Sequence, residues 1–273
     1  MTRYAEPLRA DVGVIGGSGL YQLVAGGTTV DVSTPYGRPS DPVTVGRVGG
    51  RTVAFLPRHG ADHRFPPHRI NYRANLWALR ALGVRQILAP CAVGSLTTAL
   101  APGTLVLPDQ MVDRTSGRAC TYFDDGAVHT SFADPYCPNG RATVAATARE
   151  IGVEPVVGAT MVVVEGPRFS TRAESQWYAR QGWQLINMTG HPEAILAREL
   201  ELCYTPIALV TDLDAGVDAA DAVSHTEVLR IFAANVERLR EVLYQAVPAL
   251  PPDSSPCACG RGHEDVPLPI NLP

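Results

Sequence analysis

The sequence of 273 residues contains no lysine, and all 23 of its basic side chains are arginines. A Schiff base between a lysine and pyridoxal phosphate or a carbonyl substrate is therefore excluded, as is the lysine of a nucleotide-binding P-loop. Charged residues make up 18% of the chain and the formal net charge is -4. This charge gives no general attraction to nucleic acid or to an anionic membrane, so we expect a small-molecule partner.

Long apolar runs are also missing. No stretch approaches the roughly 20 apolar residues that a membrane-spanning helix needs, and the first residues, "MTRYAEPLRADVGVIGG", lack the apolar core of a secretory signal. We therefore expect a cytoplasmic protein with no membrane partner. The six cysteines are scattered along the chain, and without a secretory signal we expect them to be reduced rather than joined in disulfides.

Short β-branched runs alternate with helical patterns, which is typical of an α/β protein. The predicted strands cover residues 11–17, 51–57, 85–90, 103–109, 159–166 and 206–212. Several are apolar on both faces, as in a sheet covered on both sides. "RINYRANLWALRALG" predicts a helix, and the capping boxes "TRAE" and "SHTE" predict two further helix starts. We infer a single α/β domain, residues 1–247, with a mixed central β-sheet flanked by helices.

Residues 248–273 differ from the rest because they are rich in proline, and they predict an extended, irregular C-terminal arm. Within it, "CACGRGH" offers Cys257, Cys259 and His263 as soft metal ligands. Only three donors are present and Cys-x-Cys is not the usual zinc spacing, so a flexible arm is favoured and no metal is expected. The apolar end "VPLPINLP" can pack on its own subunit or on a neighbouring one.

Three predicted strands end in residues that suit an anion. The first runs into "GGSGL", where backbone N–H groups and the Ser18 hydroxyl can converge on an oxyanion, although a simple tight turn is the alternative. The second ends in "PRHGADH", which places Arg58 and His59 together as donors to phosphate. Since ligands in α/β folds bind at the carboxyl ends of strands, these ends and a third, "APCAVGSL", can together line one phosphate pocket.

Two other interpretations of these strand ends are less favoured. His59 and His63 are at metal-ligand spacing, but Gly60 disfavours the helix that would align them. Cys91 in the third strand end could be a nucleophile, yet no acid–base partner is identifiable beside it, and a small buried thiol is the commoner case.

Further candidates lie in the second half of the chain. Phe169, just before a helix start, can cover a flat heterocycle or belong to the core, and Met188 can pack or touch a sugar face. His191 precedes a proline and is given no chemical role. In "VTDLDAG", Asp212 and Asp214 are two residues apart on a strand end, so both side chains face the same side.

Taken in order, "GVIGGSGLY", "TPYGRPSD", "PRHGADH", "NYRANLWALRALG", "EGPRFSTRAES", "NMTGHPEA" and "ALVTDLD" resemble the methylthioadenosine phosphorylases of the trimeric purine nucleoside phosphorylase family. The resemblance implies phosphorolysis of 5'-methylthioadenosine to adenine and 5-methylthioribose 1-phosphate by a pentosyltransferase. It implies inorganic phosphate as co-substrate, no metal or organic cofactor, and a homotrimer.

The resemblance also implies roles for individual residues. Phosphate binding falls on Ser18, Arg58, His59, Cys91, Ala92 and Thr189. Contacts to base and sugar fall on Phe169, Ser170, Met188, Asp212 and Asp214. His129 matches a residue near the 5' end of the nucleoside across a subunit boundary, and Val223 lies where the family contacts the methylthio group.

Two features depart from the better-known animal enzymes. Cys91 stands where they have a threonine, which replaces a good hydroxyl donor by a weak thiol. The cysteine-rich tail has no counterpart in them, although it resembles the actinobacterial branch of the family.

The aspartate pair suits adenine chemically. A protonated acid, which we assign to Asp212, can donate to N7, while the other carboxylate accepts from the N6 amino group. Burial and mutual repulsion would raise the pKa of one of the two carboxyls. A 6-oxopurine reverses this hydrogen-bond pattern, so a phosphorylase of inosine or methylthioinosine is the nearest alternative. A non-catalytic nucleoside sensor is a further one.

Overall fold

The computed structural model describes residues 8–217, 224–252, 257–263 and 266–273. The strands are β1 (Val12–Gly16), β2 (Thr28–Val30), β3 (Val43–Val48), β4 (Arg51–Pro57), β5 (Gln86–Ser95), β6 (Leu105–Leu107), β7 (Gln110–Arg114), β8 (Val156–Val157), β9 (Thr160–Val164), β10 (Leu185–Asn187) and β11 (Cys203–Leu213). The α-helices are α1 (Tyr72–Ala81), α2 (Pro138–Glu150), α3 (Arg172–Arg180), α4 (Gly190–Glu199) and α5 (His225–Ala249).

All eleven strands belong to one mixed sheet whose centre is β5. The first residues of β5 pair in parallel with β1, its whole length pairs in parallel with β11, and its last two residues pair antiparallel with β10. β1 in turn pairs in parallel with β4. The carboxyl ends of β1, β4, β5 and β11 therefore meet at one edge of the sheet, as the α/β interpretation requires.

Helices cover both faces of this sheet, which explains why β1 is buried along its entire length. Helices α1 and α4 pack together on one face, and α2 and α5 pack together on the other. Each face has its own apolar cluster, one including Leu76 and Leu196 and the other including Phe232 and Val242. None of the helices among the described residues has the length and apolarity to cross a bilayer.

The local helix signals hold where they can be compared. In α1 the stripe of Tyr72, Leu76, Leu79 and Leu82 is buried. In α3 the capping box between Thr171 and Glu174 is complete, with both reciprocal hydrogen bonds present. The second predicted capping box depends on the side chain at position 227, which lies outside the described residues.

The six predicted strands are present, but several elements had no clear signal in the sequence. β2, β8 and β10 are only two or three residues long, too short for an alternating pattern to stand out. Helix α2 begins directly with a proline and buries mostly small residues against β11 and α5. Because the apolar stripe of this helix is weak, its packing against the sheet stabilises it more than its amphipathic pattern does.

The C-terminal arm is irregular, as predicted, but its described parts pack on the body of the same chain. The alternation in the last residues places Leu268, Ile270 and Leu272 against the first apolar cluster. Arg80 Nη1 donates to the carbonyl of Pro273 at 3.0 Å, and Gln86 Nε2 donates to that of Pro251 at 2.7 Å. The expectation of a flexible arm is therefore corrected, and the predicted boundary at residue 247 falls inside α5, which ends at Ala249.

Candidate active site

A cavity of about 360 Å³ lies at the sheet edge where β1, β4, β5 and β11 end. Eleven of the thirteen predicted site residues line it: Ser18, Arg58, His59, Cys91, Ala92, Phe169, Ser170, Met188, Thr189, Asp212 and Asp214. The residues predicted for phosphate and those predicted for the base therefore share one cavity. Its size is in the range usual for small-molecule sites.

The glycines after β1 allow the loop to pass close to its neighbours. A Cβ on Gly17 would lie 2.8 Å from the carbonyl oxygen of Pro90, and one on Gly19, whose φ is +83°, would meet the Phe232 ring. Leu20 N–H donates to the Gly17 carbonyl at 3.0 Å and closes the turn. The loop is thus a tight turn that also presents Ser18 to the cavity, so both interpretations of "GGSGL" apply.

Arg58 is almost fully buried and is held by a carboxylate that the sequence did not reveal. Its Nε and Nη2 donate to Glu193 at 2.7 Å each, and its Nη1 donates to the carbonyl of Pro90 at 3.1 Å. Tyr204 Oη donates to the same carboxylate at 2.6 Å. The two-pronged face of the guanidinium is therefore directed at Glu193, which corrects the expectation that this face grips phosphate. Only the remaining N–H groups at the edge beside Gly17 are left for a ligand.

The charge of Arg58 is secured by this pairing. Burial opposes it, but the attraction and hydrogen bonds of Glu193 are stronger and raise the pKa of the Arg58 guanidinium above its usual value. Since Glu193 is fully buried as well, the pair brings one positive and one negative charge into the interior together.

His59 is neutral in this environment. Burial lowers the pKa of His59 to about 3, and the nearby Arg58 charge acts in the same direction. Its Nδ1 lies 2.8 Å from the carbonyl oxygen of Phe65, which assigns the proton to Nδ1 because a carbonyl can only accept. Nε2 is then an acceptor, so His59 can receive a hydrogen bond from a protonated phosphate oxygen rather than donate one.

The metal interpretation of His59 and His63 finds no support in the geometry. The two rings stack with centroids 4.4 Å apart, and the Nδ1 atoms are engaged with the Phe65 carbonyl and the Tyr21 hydroxyl. His63 lines the cavity beside His59. The spacing of the two histidines in the sequence does not predict this position.

Asn187 organises one side of the cavity end that carries the residues predicted for phosphate. Its Oδ1 accepts from the backbone N–H groups of Thr189 and Gly190 at 2.8 and 2.7 Å, while its Nδ2 donates to the Ala92 carbonyl at 3.2 Å. Asn187 thereby joins the segments that carry two predicted phosphate contacts. In the adjacent strand, burial raises the pKa of Cys91 to about 12, so at neutral pH it is a thiol and not a nucleophilic thiolate.

The two aspartates lie together over Gly94. The register between β5 and β11 shifts between Val210 and Asp212 and sets Asp212 opposite this glycine. A Cβ there would lie 3.0 Å from Asp212 Oδ1 and 3.6 Å from the Cβ of Asp214. Both side chains thus approach the same point, and the absence of a side chain on Gly94 leaves room for them.

Burial sets the protonation of this pair. It raises the pKa of Asp212 to about 6, with a hydrogen bond from Thr211 opposing and the charge of Asp214 adding to the rise. Burial also raises the pKa of Asp214. Among the described residues, Asp214 Oδ2 has no hydrogen-bond partner, while Ser175 and Ser170 hydrogen-bond to this carboxyl and oppose the rise. Asp212 is therefore the carboxyl poised to carry a proton near neutral pH.

Arg118 holds the loops that carry the aromatic and thioether side chains. Its Nη1 donates to the Met188 carbonyl at 2.9 Å and its Nη2 to the Glu165 carbonyl at 2.7 Å. Gly166 passes so close to the Met188 sulfur that a Cβ would lie 2.6 Å from it. Phe169 is half-buried in the cavity wall rather than in the core, which fits a face left open for a flat ligand.

Two predicted residues are not part of this cavity. His129 is exposed and does not line it. Val223 lies outside the described residues. His191, which was given no role, has its Nε2 3.3 Å from Asp113 Oδ2.

The buried ion pair predicts a strong effect of Glu193→Gln. Removal of the carboxylate charge leaves the buried Arg58 charge unpaired, and the free energy of unfolding should fall by about 3–5 kcal/mol. Glu237→Gln is the matched control, because it breaks an exposed pair with Arg240 and should cost less than about 1 kcal/mol. Urea denaturation of the two variants checks this, and equal losses would contradict it.

The sequence pattern of the Phosphorylase superfamily matches residues 11–248. The chain is 61% identical over 266 residues to a protein of Streptomyces coelicolor named "Purine nucleoside phosphorylase", covering 94% of this chain and 95% of the relative. It is 57% identical over 264 residues to "S-methyl-5'-thioadenosine phosphorylase" of Mycobacterium tuberculosis, covering 96% and 97%.

Solved structures agree. A methylthioadenosine phosphorylase from an antarctic soil metagenomic library superimposes with a TM-score of 0.86 at 42% identity, covering 93% of this chain and 91% of that one. The methylthioadenosine phosphorylase of Schistosoma mansoni in complex with adenine gives a TM-score of 0.84 at 38% identity, with 88% and 91% covered. Together with the strand-end cavity, these matches show that the chain belongs to the phosphorylase superfamily.

Proposed function

We propose that this protein catalyses the phosphorolysis of 5'-methylthioadenosine to adenine and 5-methylthioribose 1-phosphate. The observation that carries the proposal is a single cavity in which an anion-binding set of strand ends faces a pair of aspartates with raised pKa values. Inorganic phosphate is the co-substrate, and the chemistry below uses no organic cofactor or metal. We place the reaction in the cytoplasm, in the salvage of adenine and of methylthioribose for methionine.

Phosphate binds at the end formed by β1, β4 and β5. The Ser18 hydroxyl and the free N–H edge of Arg58 donate to its oxygens, and Thr189 lies across from them. His59 Nε2 accepts from the protonated oxygen of hydrogenphosphate, which its tautomer requires. Arg58 thus gives phosphate fewer hydrogen bonds than its position in the sequence suggested. The Cys91 thiol contributes to the shape of the cavity more than to hydrogen bonding.

The base binds at the other end of the cavity. Protonated Asp212 donates to N7, and Asp214 accepts from the N6 amino group through the oxygen that is otherwise unpartnered. Phe169 covers the ring face and Met188 lies against the sugar. Since the pKa of Asp212 is about 6, part of the free protein is already protonated at neutral pH, and binding of N7 selects that form.

Bond cleavage leaves positive charge on the sugar and negative charge on the base. The bond from C1' to N9 breaks and its electron pair passes to the purine, which takes the Asp212 proton at N7. A phosphate oxygen below the ring then bonds to C1'. The proton balance closes because hydrogenphosphate gives up its proton on becoming an ester, which restores Asp212 through solvent.

The relative named as a purine nucleoside phosphorylase keeps a second candidate open, the phosphorolysis of 6-oxopurine nucleosides. Hypoxanthine carries an acceptor at the 6-position, where the Asp214 carboxylate is also an acceptor. This mismatch costs binding of the 6-oxopurine, since a buried acceptor would face another acceptor. We therefore favour the 6-aminopurine substrate.

Release of the free base from four nucleosides tests the proposal. 5'-Methylthioadenosine, adenosine, methylthioinosine and inosine are each incubated with and without phosphate, and the bases are separated by chromatography. We expect phosphate-dependent release of adenine, with at least about 100-fold lower kcat/KM for the inosine compounds. Faster turnover of the inosine compounds would support the second candidate, and binding without turnover would support a sensor.

The raised pKa of Asp212 predicts a pH dependence. At saturating phosphate, kcat/KM for methylthioadenosine should fall as the pH rises through about 6, because the acid that protonates N7 loses its proton there. Asp212→Asn should lower kcat roughly 10²- to 10⁴-fold and remove this limb of the profile. Asp31→Asn, a change at an exposed strand-connecting residue, is the control, and an unchanged profile in Asp212→Asn would disprove the assignment.

We also propose a homotrimer in which His129 of one subunit completes the 5' end of a neighbouring site. Its support is the exposure of His129 outside the cavity of its own chain. Co-expression of His129→Ala with Asp212→Asn tests this, since random mixing in a ring pairs an intact acid with an intact neighbouring histidine at about a quarter of the sites. Recovery of activity above that of either variant at low substrate supports the arrangement, and no recovery contradicts it.

A further inference from the structure

Four cysteine sulfurs come together on the side of the sheet remote from the cavity. The Sγ atoms of Cys137, Cys203, Cys257 and Cys259 all lie within 4.8 Å of one another. Among the described residues, no other set of three or more histidine, cysteine or acidic side chains meets in this way. The sequence does not reveal the cluster, because Cys137 and Cys203 are far from the "CAC" of the arm.

Each of the four cysteines lies in or next to a defined structural element. Cys137 is the residue before α2, where its N–H donates to the Tyr204 carbonyl at 2.8 Å, and Cys203 begins β11. Cys257 and Cys259 flank the start of a short 3-10 helix (Ala258–Arg261). The cluster therefore joins the C-terminal arm to the first residue of β11, the strand that leads to the aspartate pair.

The spacing of the sulfurs suits a shared metal ion. In a tetrahedral zinc site with Zn–S bonds of about 2.3 Å, neighbouring sulfurs are about 3.8 Å apart. The sulfurs of Cys203 and Cys257 are 3.3 Å apart, far beyond the roughly 2.05 Å of a disulfide bond. Four sulfurs from three separate segments around one point match the ligand number of a closed structural site.

The surroundings suit thiolates. The backbone N–H groups of Asn139 and Gly140, in the first turn of α2, donate to the Cys137 sulfur, and such second contacts orient metal-bound thiolates. Arg85 and Arg261 line the surface depression above the cluster and offset negative charge there. Cys137 and Cys259 are buried while Cys203 and Cys257 are half-buried, which leaves a path for an ion from this depression.

We propose that Cys137, Cys203, Cys257 and Cys259 bind one zinc ion that fastens the C-terminal arm to the base of β11. Thiolate ligands favour soft or borderline ions, and four of them in a tetrahedron are typical of structural zinc. On binding, the thiols release their protons to solvent. With all four positions filled by protein, the ion has no open site for a substrate, so its role is structural.

This assignment revises the ligand set that the arm alone suggested. His263 is not among the ligands, because its nitrogens are not part of the group of ligand atoms that lie within reach of one another. Its ring packs edge-on against Phe123 with centroids 5.3 Å apart. Cys137 and Cys203 supply the two donors that the arm lacks. The zinc proposal does not depend on the proposed reaction, and the measurements that decide it are independent of substrate.

Metal content tests the proposal directly. Full-length protein, purified with zinc in the medium and without chelators, should contain about one zinc per chain by inductively coupled plasma mass spectrometry. Cys137→Ser and Cys259→Ser should each lose most of it. Cys120→Ser, at an exposed cysteine outside the cluster, is the matched control and should keep it. Cobalt exchange should give the thiolate charge-transfer bands of a tetrahedral site.

A second readout addresses the structural role. Treatment of the wild-type protein with a chelator at raised temperature should lower its midpoint of thermal unfolding by several degrees. Re-addition of zinc should restore the midpoint. The same treatment should have no such effect on Cys259→Ser. Peptide mapping without reduction would overturn the proposal by finding disulfides among the four cysteines. Four reactive thiols that take up no zinc, or stoichiometric binding of a different metal, would overturn it as well.

Discussion

The buried pair of Arg58 and Glu193 is the interaction on which the cavity depends. It connects the end of β4 to helix α4, and through Pro90 and Tyr204 it reaches β5 and β11 as well. Four elements that are distant in the sequence therefore converge on this ion pair. Two charges that are buried away from water are stable only when they are paired with each other. Any displacement of α4 or of the end of β4 would therefore leave an unpaired charge in the apolar interior.

A second constraint acts at the opposite end of the cavity, where burial of two carboxyls lowers the stability of the folded state. Folding raises the pKa of both aspartates above their usual values, and a carboxyl with a raised pKa makes the folded state less stable as the pH rises through it. The fold tolerates this cost because the same burial produces an acid at the base. The bulge in β11 and the missing side chain of Gly94 are the local features that bring the pair together.

The sequence predicts the residues that line the cavity, but it does not predict the residues that hold them in place, and the reason is physical. Strand ends carry local signals, so the sequence alone assigns Ser18, Arg58 and Asp212 to one sheet edge. Glu193 lies in a helix 135 residues beyond its partner Arg58, and the four cysteines span three segments. Such pairings depend on topology, which periodicity and spacing along one chain do not encode.

β11 shows how the two kinds of information combine in one element. Its carboxyl end presents Asp212 to the cavity and its first residue belongs to the cysteine cluster. Nine residue steps of extended chain separate Cys203 from Asp212, about 30 Å. The chemistry and the attachment of the arm therefore sit at opposite edges of the sheet, and a change at the cluster can reach the site only through the position of the strand itself.

The charges of the cavity, considered together, favour the transition state over the ground state of the proposed reaction. Arg58 is offset by Glu193, and His59 is neutral, so the phosphate end supplies hydrogen bonds but little net positive charge. A bound phosphate dianion therefore keeps much of its charge unmatched until the sugar above it becomes cationic. Since the attraction between them appears only as the glycosidic bond breaks, it lowers the barrier rather than simply tightening binding. A positive charge in place of the neutral His59 would bind phosphate more strongly in the ground state and forfeit part of that difference.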